Sequence, residues 1–215
     1  MQELVNVTAI VLSSTPVGEY DRRVVLLTKE RGKITAFAKG ARRQTSKLIA
    51  ATNLFAFGQF KLYPGRSSYT MTDAVIQNYF EELRVDFEGA YYGMFFLEVC
   101  DYYTRENNDE KEFLKLLYQS LKALLVKSLN RRLVQCIFEM KAMVINGEFP
   151  GMPTDGVWQE STVYAVSYIT NSSIEKLYTF TVSDTVLEEM IRIAERYRLR
   201  YIDREFKSLE MLAVL

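Results

Sequence analysis

The sequence predicts an α+β protein: a five-stranded barrel at the N-terminus, followed by an all-helical C-terminal domain with a small β-hairpin insertion. Three observations carry this expectation. Up to about residue 78, short runs rich in Val, Ile, Thr and aromatic residues alternate with Gly and Pro turns, which is the chemistry of strands. Beyond residue 80 the apolar residues recur at helical spacing. Charge divides at the same place: residues 1–72 carry eleven Lys and Arg against four Asp and Glu, although the 215-residue chain is formally neutral. The expected division is a barrel domain at 1–79 and a helical domain at 80–215.

Taken in order, Glu3 to Thr15 is rich in Val, Ile and Thr with a period near two and reads as a long first strand that Pro16 ends. The loop PVGEYD leads to RRVVLLTK, the tight turn ERG and KITAFAKG, a hairpin in which Gly32 takes the special turn conformation. Alternation in its second strand puts Ile34, Ala36 and Ala38 on one face and Lys33, Thr35, Phe37 and Lys39 on the other. A short helix follows at Ser46 to Asn53, capped by Ser46 or Thr45. QFKLYPGRSSYTMTDAVIQ then supplies two strands around a Pro64-Gly65 corner. Five strands with a helix between the third and fourth match the OB-fold, a Greek-key barrel that binds oligonucleotides on its second and third strands and through its L12 and L45 loops.

The densest charge lies where such a barrel would use it. Between Gly18 and Lys47 there are nine Lys and Arg against three acids, a polyanion-binding composition. Arg22 and Arg23 open the second strand, Lys29, Arg31 and Lys33 surround the hairpin, Lys39, Arg42, Arg43 and Lys47 follow the third strand, and Arg66 sits in the L45-like turn. Lys39, Arg42 and Arg43 stand out, because a strand end followed by Gly40 lets phosphate approach the backbone. Single-strand binders add aromatic platforms for bases, and Phe37, Tyr63 and Tyr69 are the candidates in that order. A shift of one residue in register would turn Phe37 into the core.

Past Asn78 the chain reads as long helices. NYFEELRVDFEGAYYGMFFLEVCDYYTREN is apolar on almost every side of its second half and ends at Asn107 and Asn108. The segments from Asp109 to Ser128 and from Asn130 to Pro150 are amphipathic, the latter closed by Gly147 and Pro150, and these three helices are expected to form an antiparallel bundle. At about 151–182, VYAVSYIT and KLYTFTV, separated by NSS, read as the inserted hairpin. Ser183 then caps a last long helix, and a short helical tail closes the chain.

Composition narrows the chemistry. The chain has no histidine, which removes Ser-His and Cys-His nucleophile pairs and imidazole metal sites. Cys100 and Cys136 lie in apolar helical patterns and read as buried, reduced thiols. The adjacent acids Glu81 and Glu82, or Glu188 and Glu189, point to different helix faces and are given no acid-base role. No constellation for an enzyme emerges. No apolar run is long enough for a membrane span and no signal peptide is recognisable, so no membrane association and a cytoplasmic, nucleoid-associated location are expected.

The run GEYDRRVVLLTKERGKITAFAKGARRQTSKL resembles the N-terminal signature of the bacterial RecO DNA repair family, through Gly18, Glu19, Asp21, Arg22, the Thr28 to Gly32 turn, Lys33, Ala38, Lys39, Gly40, Ala41, Arg42, Arg43, Ser46 and Lys47. SDTVLEEMIRIAERYRLRYIDREFKSLEML likewise resembles the family's last helix and its closing Lys-Ser segment, here Lys207 and Ser208. The resemblance implies a recombination mediator that binds single- and double-stranded DNA without sequence preference, anneals complementary strands, contacts the single-strand-binding protein and, with RecR, helps RecA load onto coated single strands. It also implies that basic spots of the acidic half, Arg131, Arg132, Arg200, Arg204 and Lys207, with Arg196 and Arg198 nearby, could receive the acidic, Phe-ending tail of a single-strand-binding protein. Salt bridging with acidic neighbours is the ordinary use of such residues. Many members carry four zinc-binding cysteines after the third bundle helix. Residues 151–182 contain none, so no cofactor and no structural zinc are expected. The alternative is a protein-interaction adaptor whose barrel grips acidic protein surfaces and never touches DNA.

Overall fold

A computed structural model of the chain describes residues 3–215. Five strands, β1 (Val5–Val17), β2 (Asp21–Thr28), β3 (Gly32–Ala38), β4 (Phe57–Pro64) and β5 (Tyr69–Asn78), close into a barrel in the order β1-β2-β3-β5-β4. Helix α1 (Leu48–Ala51) lies between β3 and β4, as the OB-fold requires. The closure is a short parallel pairing of Ala36 and Phe37 with Tyr69 and Thr70. Inside, Val7, Val24, Leu26, Ile34, Phe60, Leu62 and Met71 form a continuous core, each large side chain contributing about 1.5–3 kcal/mol through burial. Alternation in β3 is as expected, with Ile34, Ala36 and Ala38 buried and Phe37 half-buried on the outer face.

Two local features depart from expectation. Pro16 does not end the first strand: β1 continues to Val17, with Pro16 opposite Arg22. Strand β4 covers β1 only from Val5 to Ile10, so the other edge of β1 is open at Pro16 and a residue without an N–H is tolerated there. The single helix expected from Asn78 onward is divided into α2 (Glu81–Val85) and α3 (Phe87–Tyr103). Asp86 divides them, because its carboxylate accepts from the Gly89 N–H at 3.0 Å and caps a new helix.

The remaining helices are α4 (Lys111–Leu124), α5 (Arg131–Ile145), α6 (Glu160–Asn171), α7 (Asp184–Tyr201) and α8 (Lys207–Leu212), with a 3-10 turn at Ile174–Lys176. The chain resolves into two compact units. The first comprises the residues up to Arg84 together with Cys100–Leu114, and the second Val85–Val99 together with Lys115–Leu215. In the first, the backbone of Arg105 accepts from the Lys33 N–H at 3.0 Å. Gly32 at the hairpin turn has φ +65°, and a Cβ there would stand 2.2 Å from the Arg105 carbonyl oxygen, so both the turn and the close approach demand glycine.

In the second unit α5, α6 and α7 pack most closely on one another, rather than the three consecutive helices that spacing predicts. Phe96 stacks on Phe138 at 4.2 Å, and Phe95 meets Phe206 edge-on at 5.4 Å. The hairpin expected at about 151–182 is not formed. VYAVSYIT lies within α6, whose buried residues Thr162, Ala165, Val166 and Ile169 follow helical spacing, and KLYTFTV is irregular chain from Leu177 on, its Lys176 ending the 3-10 turn. Packing overrides the strand propensity of its β-branched and aromatic residues. Both ends of α6 are held from outside: the Glu189 carboxylate accepts from the Gln159 N–H and the Thr162 hydroxyl, and the buried Lys141 ammonium donates to the carbonyls of Ile169, Thr170 and Ser172. A lysine at three terminal carbonyls also complements the helix dipole.

Candidate nucleic-acid interface

The basic residues of the barrel fall into three groups by what holds them. Arg22 is built into the fold: its guanidinium donates to the Ile49 carbonyl, the Thr52 hydroxyl and the Asn53 side chain at 3.3, 2.9 and 3.0 Å. Burial, with the neighbouring charges of Arg42 and Arg84, lowers its pKa from the usual arginine value. Lys33 donates to the Asp101 carbonyl and pairs with its carboxylate at 3.1 Å. These two side chains are anchors of the barrel unit before they are anything else.

A second group is oriented without being neutralised. Arg42 donates to the carbonyls of Gly18 and Glu19 at 3.2 and 3.1 Å. Arg43 lies over the Tyr20 ring, 4.8 Å from its centroid. Arg31 lies over Tyr69 at 6.0 Å and reaches its hydroxyl at 3.5 Å, and Arg23 reaches the Thr35 hydroxyl at 3.4 Å. Carbonyls, hydroxyls and rings leave the formal charge in place, and a guanidinium has five N–H donors to share.

Lys29, Lys39, Lys47 and Arg66 form the third group: they are exposed, and among the described residues their side chains have no hydrogen-bond or ion-pair partner. The turn from Gly18 to Tyr20 and the loop from Gly40 to Arg43 are tied together. The Arg42 N–H donates to the Tyr20 carbonyl at 2.8 Å and the Gly40 N–H to the Asp21 carboxylate at 2.7 Å. The loop that carries Arg42 and Arg43 is thus fixed against the first turn.

Of the aromatic candidates, Phe37 stands on the outer face opposite Arg23 and Thr70. Tyr69 is half-buried against the barrel core, and Tyr63 is 45% exposed on β4. Strand alternation does not single out Tyr20, which is 42% exposed beside Arg43. A signal for it exists in the sequence all the same: it is the aromatic residue in the turn between the first two strands, within the basic window.

The basic residues of the helical unit are held differently. Arg131 pairs with Asp86 and with Glu88, Arg132 with Glu188 at 2.8 Å, and Arg196 with Asp155 at 2.7 Å. Arg198 pairs with the buried Glu139 at 2.7 Å, and burial still holds that carboxyl above its usual pKa. Arg200 lies over Tyr201, and Lys207 is exposed at the start of α8. A groove of about 760 Å³ runs through this unit, with apolar walls that include Tyr92, Leu199 and Phe206, and with Arg132, Arg198 and Arg204 set among Glu88, Glu139, Glu195, Glu205 and Glu210. Arg131, Arg200 and Lys207 do not line it.

Residues 151–182 do not fit a zinc site. They hold neither cysteine nor histidine, and among the described residues no cluster of three or more potential ligands occurs anywhere. Cys100 and Cys136 are each buried, and burial raises both thiol pKa values. Among the described residues no helix is long and apolar enough to cross a membrane.

Comparison with known proteins agrees with the two-part architecture. The family model described as Recombination protein O N terminal matches residues 1–80, and that described as Recombination protein O C terminal matches residues 84–152. The DNA repair protein RecO of Acetivibrio thermocellus is 25% identical over 97% of this chain and 96% of its own length. That of Alkaliphilus metalliredigens is 27% identical over 97% of this chain and 98% of its own, and that of Clostridium perfringens strain 13 is 26% identical over 97% of each. With the two family models matched in order over residues 1–80 and 84–152 and the relatives aligned nearly end to end, the chain belongs to the RecO family of recombination proteins.

Proposed function

We propose that this chain is a non-enzymatic recombination mediator in DNA repair: its barrel binds single- and double-stranded DNA through phosphate contacts, anneals complementary strands and, with RecR, helps RecA load onto coated single strands. The observation that carries this reading is the basic surface of the barrel, where Arg42, Arg43, Lys39, Lys47 and Arg66 are, among the described residues, paired with no carboxylate. Such a surface screens the repulsion between two phosphate backbones while leaving base edges free to pair, which is the physical requirement for annealing. No metal and no cofactor take part. The site of action is the cytoplasm, at the nucleoid.

The groove of the helical unit supports a second contact, with the acidic, Phe-ending tail of a single-strand-binding protein. Its apolar walls suit an aromatic end group, and the acids of the tail would compete with Glu188 for Arg132 and with the glutamates of the lining for Arg204. Titrating oligonucleotide binding against salt tests the barrel: the logarithm of affinity should fall by about 0.7 per neutralised phosphate for each tenfold rise in salt on single strands. A flat response would overturn the reading. A tail peptide lacking its terminal Phe should lose affinity for the helical unit without affecting DNA binding.

A further inference from the structure

We infer that Tyr20 is a stacking platform for an unpaired base, and that the turn carrying it is the part of the barrel that discriminates single strands from duplex. The inference rests on the DNA-binding reading above and adds to it a residue and a preference. Tyr20 sits in a three-residue turn between Val17 and Asp21, the pair that closes the β1–β2 hairpin. It is 42% exposed, yet the turn beneath it is fastened on both sides. Before it, the Gly18 and Glu19 carbonyls accept from the Arg42 guanidinium at 3.2 and 3.1 Å. At the residue itself the carbonyl accepts from the Arg42 N–H at 2.8 Å, and just after it Asp21 accepts from the Gly40 N–H at 2.7 Å. An exposed aromatic ring on a pinned turn loses little entropy when something stacks on it.

The ring is also dressed on one side. The Arg43 guanidinium lies 4.8 Å from its centroid, a cation–π arrangement that fixes the ring plane and brings a positive charge beside it. A base stacked on the opposite face would complete an arginine, tyrosine and base column, and the phosphate of the same nucleotide would meet Arg43 and its neighbours Arg42 and Lys39. The other aromatic candidates lack this combination. Tyr69 is packed against the core, and Phe37 is half-buried near the end of β3. In duplex DNA both faces of every internal base are covered by its neighbours, so a platform of this kind rewards only unpaired bases.

The test uses the full chain and three labelled probes of equal length: oligothymidylate, an abasic strand with the same phosphates, and a duplex. Tyr20→Ala is expected to lose roughly tenfold in affinity for oligothymidylate, as removal of one stacked base implies. Affinity for the abasic strand and the duplex should stay within about twofold, which also shows that the variant is folded. Tyr20→Phe, which keeps the ring, should behave as the parent, and quenching of a 2-aminopurine base in the strand should vanish in Tyr20→Ala alone. An equal loss on the abasic strand would mean that Tyr20 acts through the shape of the turn, and would overturn the platform. So would an unchanged affinity for oligothymidylate while binding by the parent stays steeply salt-dependent, an outcome that leaves the DNA-binding reading standing. If the parent binds none of the three probes, both fall together.

Discussion

Two sets of cations in one chain are used in opposite ways. In the helical unit Arg131, Arg132, Arg196 and Arg198 each meet a carboxylate. In the barrel Arg22, Arg42, Arg43 and Arg31 meet carbonyls, hydroxyls or aromatic rings, and Lys29, Lys39 and Lys47 meet no partner among the described residues. A carboxylate cancels the charge that it orients, whereas a carbonyl or a ring orients it and leaves its field intact. The same residue types therefore hold one unit together and keep the surface of the other available to a polyanion. Among the described residues of the barrel strands, Lys33, paired with Asp101, is the exception.

The largest effect is expected where a paired cation is removed from a buried partner. Arg198→Ala leaves Glu139 inside the helical unit without its guanidinium and should cost about 3 kcal/mol of stability in urea unfolding. The salt slope of DNA binding should not change, and a change would break the contrast between the two sets. Next, replacing Arg42 and Arg43 together with Ala should weaken binding roughly tenfold, about equally for every sequence, and lower the salt slope by about 0.7 for each phosphate left without its cation. A loss that depended on sequence would mean base readout by these arginines. Asp101→Asn converts the exception to the rule: it releases Lys33 from its ion pair and should tighten oligonucleotide binding about twofold to threefold at low salt, an increment that 0.5 M salt removes.

The smallest effect concerns the acid limb of stability. The Gly89 N–H and then the Arg131 guanidinium hold the Asp86 carboxyl below its usual pKa. The folded chain thus releases this proton more readily than the unfolded one. Its contribution is fully present above the ordinary carboxylate value of about 4 and is lost as the pH falls through the lower folded value. Asp86→Asn keeps an acceptor for the helix cap but removes the titration, so its stability should respond less to pH below about 4. An unchanged acid limb would show that neither the charge at the cap nor the pair with Arg131 contributes measurably.

How much of this is legible in the sequence depends on where each segment finds its partners. The barrel is: strand alternation, Gly32 and the position of α1 are local properties, and β3 shows the expected faces residue by residue. The basic surface is legible as composition, but its internal order is not. That Arg22 is an anchor and Arg43 a ring partner depends on contacts with residues some twenty to thirty positions away. Helix α6 defies its local pattern for the same reason. Its residues favour strands, and what makes them helical is Lys141 at one end, Glu189 at the other and the faces of α5 and α7 alongside.

By itself, then, the sequence determined the two-part architecture, the division of charge between the halves and the absence of histidine chemistry, because each is written in residue types and short-range periodicity. The tertiary structure alone decided which cations are spent on carboxylates and which remain free, and which aromatic ring stands exposed beside an arginine. Those outcomes follow from long-range contacts, whose energies of about one to a few kcal/mol outweigh local propensities of a few tenths of a kcal/mol per residue.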